Sequence, residues 1–296
     1  MRILITDSSG FIGSALYEFL KKDFEVYGVD IAKSSTVDSV LDISSKNSLR
    51  DKLNNFKPKI IIHLSAVKSL IKCEQDQLLA WKTNVESTAE IVQYAHYSAV
   101  KVIYVSSDMV FDGLKGNYKE TDLPNPINWY GVTKHHSELL VKQLSNSVIC
   151  RTSFVLGNLR EVDKISLQEE SNSVILDNQS LFPHYVIERA KQNKIIKLSD
   201  TVISSPTPVS LLQLSIKKII DDDFSGTYHL AGYEAISRYK FAVKIAEFCK
   251  LDPSLITPDE SSVLVIRPKD LSLNTDDTYV RLGLCSNEWN IDSLIK

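Results

Sequence analysis

The sequence predicts an α/β protein in which a doubly wound parallel sheet is followed by a smaller domain of mixed structure. The first half alternates short apolar runs with stretches of helical periodicity, which is the order of parallel βαβ units. The run at 60–64 is almost entirely apolar, as expected for a strand that is buried on both faces of a sheet. After residue 153 this alternation stops, and strands and helices follow one another without a fixed order.

Composition and charge argue against several classes of function. The net charge of −3 provides no basic field to attract phosphates, so nucleic acid is not the expected partner. No apolar run reaches the roughly 18 to 20 residues of a membrane span, and the N-terminus lacks the pattern of a signal peptide. We therefore expect no membrane partner. The four cysteines are far apart, so we also expect reduced thiols, no metal site and a cytoplasmic location.

A candidate anion-binding turn lies near the start of the chain. Residues 2–6 form an apolar run that predicts a buried strand, and residues 11–20 show helical spacing. The small-residue turn 7–10 connects them. Gly10 and Gly13 let the backbone approach a phosphate closely, and the backbone N–H groups of Phe11 and Ile12 lie at the positive end of the helix.

Asp30 completes the signature of a dinucleotide site. It ends the predicted second strand at 24–30 and lies about twenty residues past the glycines, where a carboxylate binds ribose hydroxyls. Each residue alone is explained as easily by a turn or a strand end, but all the parts occur here in the required order. We therefore predict a dinucleotide-binding domain at 1–153, with NAD(H) favoured over NADP(H) because a carboxylate repels a 2′-phosphate.

The other elements of the first half follow the same order. We predict a third strand at 40–43, a helix that is capped by Asn47 and ended by Pro58, a fourth strand at 59–64 and a fifth at 101–106. A helix over 77–97 contains Asn84, which spacing alone assigns to the surface. Segment 65–67 follows the fourth strand at its carboxyl end, where open α/β sheets bind their ligands.

The second half predicts a smaller domain that is mainly responsible for substrate binding, at 154–296. A sixth strand at 147–152 completes the first domain, and after it we expect helices at 181–192, 210–220 and 238–249 and strands at 195–198 and 226–230. Part of 205–230 is expected to pack back on the first domain. The polar segment 158–179 is either a solvated loop or a lid over the substrate.

The stretch 107–134 carries the candidate catalytic residues. Tyr130 and Lys134 are four residues apart, so in a helix their side chains lie on one face, one turn apart. The charge of Lys134 is expected to lower the pKa of Tyr130 from about 10 towards neutral pH. Ser107 adds a hydroxyl group at the end of the fifth strand. This spacing is common on ordinary amphipathic helices, but together with the dinucleotide signature it indicates a proton-transfer site.

These motifs resemble those of the extended short-chain dehydrogenase/reductases, and within that group the chain is most similar to dTDP-4-dehydrorhamnose reductases. The matching segments span most of the chain, and the stretch from Ser107 to Gly113 is the most specific of them. They are Thr6 with Gly10 and Gly13, residues 63–66, Asn84, and residues 106–113, 130–134, 151–153, 205–207, 226–230 and 267–268. The resemblance implies a Rossmann-type fold.

The resemblance also implies an activity, the NAD(P)H-dependent reduction of the 4-keto group of a nucleotide-linked 6-deoxy sugar in dTDP-rhamnose biosynthesis. Ser107 would hydrogen-bond the carbonyl oxygen of the substrate, and Tyr130 would donate a proton to it. Lys134 would lower the tyrosine pKa and hold the nicotinamide ribose. NAD(H) is the favoured cofactor, with NADP(H) as the alternative, and the implied partner is a nucleotide-diphosphate sugar. A homodimer is left open.

Binding residues follow from the same resemblance, by position. The cofactor-binding set is Gly10, Phe11, Ile12, Gly13, Asp30, Asp42, Ile43, Leu64, Ser65, Ala66, Asn84, Tyr130 and Lys134. The substrate-binding set is Val67, Ser107, Asp108 and Phe154. Asp42 and Ile43 would lie near the adenine, and Asp108 and Phe154 would meet the sugar.

Four positions depart from the pattern of these reductases. Asp7 stands where the pattern has glycine, which places an acid in the phosphate turn. Lys68 and Ile71 stand where a small polar residue and an acid are usual, and Phe154 replaces a tryptophan. The departures therefore concern the phosphate turn and the sugar pocket.

Other functions fit the same sequence. A nucleotide-sugar epimerase of this fold uses the same three catalytic residues, whereas a dehydratase is disfavoured because Met109 follows Asp108 where an acid is usual. A module without catalysis, such as a regulatory subunit of methionine adenosyltransferase, is favoured by Asp7. The intact set of Ser107, Tyr130 and Lys134 argues against that module.

Overall fold

The structure, a computed structural model, describes residues 1–157, 181–259 and 267–286. The segment 158–179, left open as a loop or a lid, lies outside the described residues. The chain divides into two compact units. Unit 1 comprises Met1–Val110, Pro124–Arg151 and Gln213–Tyr228, and unit 2 comprises Phe111–Leu123, Thr152–Leu212 and His229–Lys296. Residues 111–123 of the predicted first domain thus group with unit 2, and residues 213–228 group with unit 1.

The strands alternate with helices in the first half, as the sequence predicts. In chain order the strands are β1 (Arg2–Thr6), β2 (Glu25–Asp30), β3 (Ser39–Val40), β4 (Ile60–His63), β5 (Lys101–Ser107), β6 (Ser147–Thr152), β7 (Val155–Leu156), β8 (Ile196–Leu198), β9 (Ile203–Ser204), β10 (Thr207–Pro208), β11 (Gly226–His229), β12 (Ile236–Ser237) and β13 (Ile256–Pro258).

The helices of the described residues are mostly short. In chain order they are α1 (Phe11–Leu20), α2 (Lys46–Phe56), α3 (Leu70–Gln75), α4 (Gln77–Trp81), α5 (Ser87–Ser98), α6 (Trp129–Val141), α7 (Phe182–Lys191), α8 (Val209–Asp221), α9 (Arg238–Phe248) and α10 (Asp276–Leu282). A π-helix at Lys82–Glu86 joins α4 to α5, and 3₁₀ turns lie at Asp108–Val110 and Pro253–Leu255.

Seven strands form one sheet in the order β11-β6-β5-β4-β1-β2-β3. The pairs β1–β2, β1–β4, β2–β3 and β4–β5 are parallel. The chain builds outward from β1 in one direction through β2 and β3, and then in the other direction from β4. The prediction of a doubly wound parallel sheet is therefore confirmed. In such sheets the ligand site lies where the direction reverses, at the carboxyl ends of β1 and β4.

The packing of unit 1 explains why β1 and β4 are so apolar. Leu4 and Ile61 are fully buried on the sheet and belong to the same cluster as Leu49 of α2 and Ile91 of α5. Each such side chain contributes roughly 1.5 to 3 kcal/mol through its removal from water. These strands are consequently fixed in register, and the residues that follow them have defined positions.

Three predicted elements of the first half differ in the structure. The third strand is only two residues long, because the chain turns at Asp42, whose Oδ1 accepts a hydrogen bond from Ser44 N at 2.8 Å. The next helix has Ser45 rather than Asn47 as its N-cap. The long helix predicted over 77–97 is interrupted by the π-helix around Asn84.

Unit 2 contains small paired strands and an aromatic core. β7 pairs with β10 and β8 with β13 in parallel, and β9 pairs with β12 in antiparallel orientation. Phe154, Phe182 and Phe241 are buried together in one cluster. Ser237 caps α9, because its side chain accepts a hydrogen bond from Lys240 N at 3.2 Å.

Candidate active site

The turn between β1 and α1 has the backbone of a phosphate-binding turn. Gly10 is the N-cap of α1 and donates its N–H to Asp7 O at 3.0 Å. A Cβ on Gly13 would lie 2.0 Å from Asp7 O, so only glycine lets the helix pack this closely on the turn. Because glycine has no side chain to cap the helix, the N–H groups of Phe11 and Ile12 are left for an anion, as a dinucleotide pyrophosphate requires.

Asp7 itself lies in this turn in the left-handed region, with φ of 57°. Its carboxylate lies over Gly10, where an added Cβ would be 2.5 Å from Asp7 Oδ2. Lys68 Nζ forms an ion pair with the same oxygen at 2.9 Å. Burial raises the pKa of the Asp7 carboxyl, and Lys68 opposes that rise. The backbone of the turn thus fits a nicotinamide dinucleotide, whereas the side chain of Asp7 occupies space over Gly10.

Asp30 lies directly beside this turn. Its Oδ2 accepts hydrogen bonds from Ser9 N at 2.9 Å and Ser9 Oγ at 2.7 Å. Its Oδ1 accepts from Ile31 N at 2.6 Å. The structure therefore brings the predicted ribose-binding acid next to the phosphate turn, and contact with a ribose stays a prediction.

Asp42 and Ile43 follow β3 and differ in exposure. Asp42 is exposed at the turn, whereas the side chain of Ile43 is buried in the hydrophobic cluster of unit 1. Their predicted position near an adenine stays a prediction.

Residues 64–67 are held at the carboxyl end of β4 by hydrogen bonds to the neighbouring strand and helix. Thr6 Oγ1, at the end of β1, accepts from Leu64 N at 3.0 Å and from Ser65 N at 3.1 Å. Val67 N donates to Asn84 Oδ1 at 2.7 Å. The segment containing Leu64, Ser65, Ala66 and Val67 therefore lines the edge of the sheet where the phosphate turn lies.

Asn84 is buried, which corrects its assignment to the surface. Its Nδ2 donates to Thr133 Oγ1 on α6 at 2.9 Å. Its backbone oxygen accepts hydrogen bonds from Thr88 Oγ1 at 2.6 Å and from Ser137 Oγ at 2.9 Å. The π-helix is the local distortion that turns this poor helix former inward, and such distortions occur often at functional sites. Asn84 thus joins the segment after β4 to α6.

Ser107 and Tyr130 meet because α6 begins very close to the turn after β5. A Cβ on Gly131 would lie 2.1 Å from Met109 O, so glycine is required there. Asn128 caps the helix by accepting from Gly131 N at 2.8 Å. The hydroxyl groups of Ser107 and Tyr130 are in contact through a hydrogen bond. Taken alone, this hydrogen bond lowers the pKa of Tyr130.

The pKa of Tyr130 nevertheless lies above its ordinary value. Burial is the largest cause of this rise, and the negative charge of Asp108 adds to it. Asp108 Oδ1 accepts a hydrogen bond from Ser107 Oγ at 2.8 Å. The expectation that Lys134 would bring the tyrosine pKa towards neutral pH is therefore wrong for this structure, and the phenol is protonated at pH 7.

Lys134 does not offset this rise, because its ammonium group is itself strongly desolvated. The side chain is only 2% exposed, and burial lowers its pKa to about 7. Nζ donates to Val105 O at 2.7 Å and lies 4.2 Å from the centroid of the Tyr104 ring. At neutral pH the lysine is therefore only partly charged, and much of its interaction goes to β5.

A buried ion pair and a buried histidine, for which the sequence predicts no role, stabilise this arrangement. Arg151 and Glu138 form a fully buried pair, with Nε–Oε1 and Nη2–Oε2 distances of 2.9 and 2.8 Å, which fixes α6 on β6. The ring of His63 joins Thr6 Oγ1 at 2.9 Å to Thr88 Oγ1 at 3.0 Å. Burial lowers the pKa of His63 to about 3, so it is neutral. The sequence signal for the role of Glu138 is its spacing. It follows Lys134 by four residues, so the two side chains lie on the same face of α6.

Phe154, predicted to contact the sugar, lies in unit 2. Its ring is buried against Phe182 and Phe241, with centroid distances of 5.3 and 6.0 Å. The guanidinium carbon of Arg238 lies 4.5 Å from the centroid of the same ring. This packing gives Phe154 a structural role, and contact with a substrate stays a prediction.

Two other kinds of site are absent from the part of the chain that the structure describes. Over 1–157, 181–259 and 267–286, no helix combines the length and hydropathy needed to cross a membrane. In the same ranges, no three His, Cys, Asp or Glu side chains cluster as metal ligands. The four cysteines are free thiols. The cytoplasmic location stays a prediction.

The doubly wound sheet, the glycine turn and the Ser107–Tyr130–Lys134 set define a short-chain dehydrogenase/reductase of the extended type. A family model described as the RmlD substrate binding domain matches residues 1–293, and the chain belongs to that family. The resemblance drawn from the sequence is thereby confirmed, and with it the prediction of an NAD(P)-dependent oxidoreductase.

Individual relatives carry two different names. The chain is 31% identical to the methionine adenosyltransferase 2 subunit beta of Xenopus laevis over 87% of this chain and 75% of the relative. It is 28% identical to the dTDP-4-dehydrorhamnose reductase of Aggregatibacter actinomycetemcomitans over 97% and 95% of the two chains. A solved dTDP-4-dehydrorhamnose reductase from Bacillus anthracis, in complex with NADP, superimposes with a TM-score of 0.82 at 26% identity and covers 99% and 96%.

Proposed function

We propose that this protein reduces the 4-keto group of a nucleotide-linked 6-deoxy sugar with a nicotinamide cofactor. The observation that carries the proposal is the assembly, within unit 1, of a serine, a protonated tyrosine and a buried lysine. They lie at the carboxyl end of β5 and in the first turns of α6. Relatives named dTDP-4-dehydrorhamnose reductase support the choice of a nucleotide-diphosphate sugar as substrate.

The residues of the chain have complementary roles in this reaction. A bound nicotinamide cofactor supplies the hydride. Ser107 Oγ, which donates to Asp108 in the free protein, turns to donate to the carbonyl oxygen of the substrate. Tyr130 then gives its proton to that oxygen, and its raised pKa ensures that the proton is present at pH 7. Lys134 holds the ribose and helps to stabilise the phenolate that remains.

Asp30 favours NADH over NADPH in this proposal. Its carboxylate is fixed beside the turn by Ser9 and Ile31, so it cannot easily leave the position of a 2′-phosphate. The relative from Bacillus anthracis was solved in complex with NADP, so the cofactor has to be established for this chain directly. Titration of tryptophan fluorescence with NADH and with NADPH measures both affinities, and we expect tighter binding of NADH.

The activity is tested by following NADH oxidation with two sugar nucleotides. We expect consumption with a dTDP-4-keto-6-deoxy sugar and none with dTDP-glucose. Interconversion of sugar epimers without net consumption of NADH would instead support the epimerase alternative. Absence of NADH and NADPH binding at millimolar concentration would refute both enzymatic functions.

A regulatory role is the second candidate, and a specific observation favours it. Seven of the relatives, from cattle, two Xenopus species, orangutan, rat, mouse and zebrafish, bear the name methionine adenosyltransferase 2 subunit beta. The chain would then bind a catalytic methionine adenosyltransferase subunit rather than reduce a sugar. Copurification with such a subunit, together with no oxidation of NADH by any keto sugar, would favour this role over the reductase.

A further inference from the structure

The phosphate turn of this chain already contains a negative charge of its own. The Asp7 carboxylate is packed on Gly10, with Oδ2, Cγ and Oδ1 at 2.5, 2.8 and 2.9 Å from the position of an added Cβ. In a glycine turn of this type that space admits the pyrophosphate of a dinucleotide. The carboxylate therefore occupies the position of a phosphate group, at the positive end of α1.

Lys68 holds the carboxylate there from the segment that follows the neighbouring strand. Its segment follows β4, which pairs directly with β1, so the ion pair joins the carboxyl ends of two adjacent strands. The Lys68 side chain is 59% exposed, whereas that of Asp7 is 21% exposed. An ion pair with such an exposed partner is weak, so a ligand can break it at little cost.

The surrounding charges make Lys68 the group most able to change partners. Asp30 and Lys134 also act on the Asp7 carboxyl. Asp30 is fixed by Ser9, and the Nζ of Lys134 is fixed by its bond to Val105 O. Lys68 alone among these four combines a positive charge with an exposed, extensible side chain.

We propose that Asp7 and Lys68 form an internal ion pair that occupies the pyrophosphate position and sets the affinity for the dinucleotide. When the dinucleotide binds, the Asp7 carboxylate leaves Gly10, and Lys68 transfers from Asp7 to the pyrophosphate. This inference rests on the proposed function, because it assumes that unit 1 binds a nicotinamide dinucleotide.

The first test is Asp7→Gly in the full chain. Glycine adopts the φ of 57° without strain, so the turn is retained while the space over Gly10 is freed. We expect the dissociation constants of NADH and of ADP-ribose, measured by titration calorimetry, to fall by about tenfold or more. ADP-ribose carries the pyrophosphate without nicotinamide, so the same change for both ligands locates the effect at the turn.

Asp223 offers a matched control. It is also an aspartate in the left-handed region, with φ of 53°, and it is paired with a lysine, Lys101, at 2.7 Å. Asp223→Gly should leave both dissociation constants within about twofold of the original. Asp7→Asn keeps the size of the side chain but removes its charge, and should tighten binding by less than Asp7→Gly does.

A second substitution tests the transfer of Lys68. In the Asp7→Gly background, Lys68→Met should weaken ADP-ribose binding by about threefold or more, because the lysine contacts the pyrophosphate. No change would show that Lys68 only neutralises Asp7, and would overturn the transfer. Wild-type and Asp7→Gly proteins that bind NADH equally would overturn the inference but leave the proposed function intact. If folded Asp7→Gly protein bound no dinucleotide, the proposed function would fail as well.

Discussion

The N-termini of α1 and α6 both pack closely on a backbone oxygen through a glycine, but only α6 has a side-chain cap. Gly13 and Gly131 each bring their helix against a backbone oxygen, at 2.0 Å from Asp7 O and 2.1 Å from Met109 O for an added Cβ. The side chain of Asn128 caps α6, whereas the N-cap of α1 is a glycine, which provides no side-chain hydrogen bond. An open helix end can bind an external anion, whereas at α6 the N–H groups of Trp129 and Gly131 already donate to the side chains of Glu74 and Asn128.

Within unit 1 we expect binding to depend on the start of α1 and chemistry to depend on the start of α6. The start of α1 holds the charges of Asp7 and Lys68 at a position where a ligand must displace them. The start of α6 holds Tyr130 and Lys134 in a fixed, buried arrangement. Substitutions at α1 should therefore change affinity, and substitutions at α6 should change turnover.

The largest effect is expected for Tyr130→Phe. Loss of the phenolic proton should lower turnover of the keto sugar by about 10²- to 10⁴-fold, because the proton transfer is needed only in the transition state. The affinity for NADH should stay nearly unchanged. Tyr94→Phe is a suitable control, since that hydroxyl donates to Leu53 O on α2. Steady-state kinetics with nearly normal turnover for Tyr130→Phe would rule out its role as the acid.

The next effect concerns the buried charge of Lys134. Its pKa is about 7 in the folded chain, whereas an unperturbed lysine has a pKa of about 10.4. Between these two pH values the unfolded chain therefore binds more protons than the folded chain. Lys134 should therefore contribute a rise in stability of roughly 2 to 3 kcal/mol between about pH 7 and about pH 9, while the buried Cys73 and Cys150 thiols, whose pKa values are raised, act in the opposite direction.

Urea unfolding of the Lys134→Met variant measures this contribution. The variant should lack most of that rise, since methionine has no proton to lose. Lys142→Met removes an exposed lysine at the end of the same helix and should keep the pH dependence. Equal slopes for wild type and Lys134→Met would contradict the lowered pKa.

Alanine at the two glycines tests the comparison most directly. Gly13→Ala and Gly131→Ala should each destabilise the fold by about 1 to 3 kcal/mol, because a Cβ would overlap a backbone oxygen in both places. Their functional effects should differ. Gly13→Ala should mainly weaken NADH binding, and Gly131→Ala should mainly lower turnover, as binding titrations and initial rates would show. The reverse pattern would invalidate the division of roles between α1 and α6.

The smallest effect is expected at the cap of α6. Asn128→Ala removes the hydrogen bond to Gly131 N and should lower the free energy of unfolding by about 1 kcal/mol. Asn128→Asp retains an acceptor and should be close to neutral. Urea denaturation distinguishes the two, and equal losses for both would mean that the side chain acts by packing rather than by capping.

Much of the fold was predictable because local patterns specify it. The apolar runs of β1 and β4 and the glycines at 10 and 13 define a strand–turn–helix unit without reference to the rest of the chain. The spacing of Tyr130 and Lys134 likewise defines a shared helix face. The short β3 and the π-helix around Asn84 were not predictable, because hydrogen bonds from distant residues and local turns decide them.

The sequence by itself determined the order of the βαβ units, the phosphate turn and the identity of the three candidate catalytic residues. Only the tertiary structure decided their electrostatics. Pairing of Asp7 with Lys68 needs β1 and β4 to be neighbours, although the residues are far apart in the chain. The lowered pKa of Lys134 and the raised pKa of Tyr130 come mainly from burial, which depends on every element packed around them. Charge and desolvation act through space, whereas sequence patterns report only what is close along the chain.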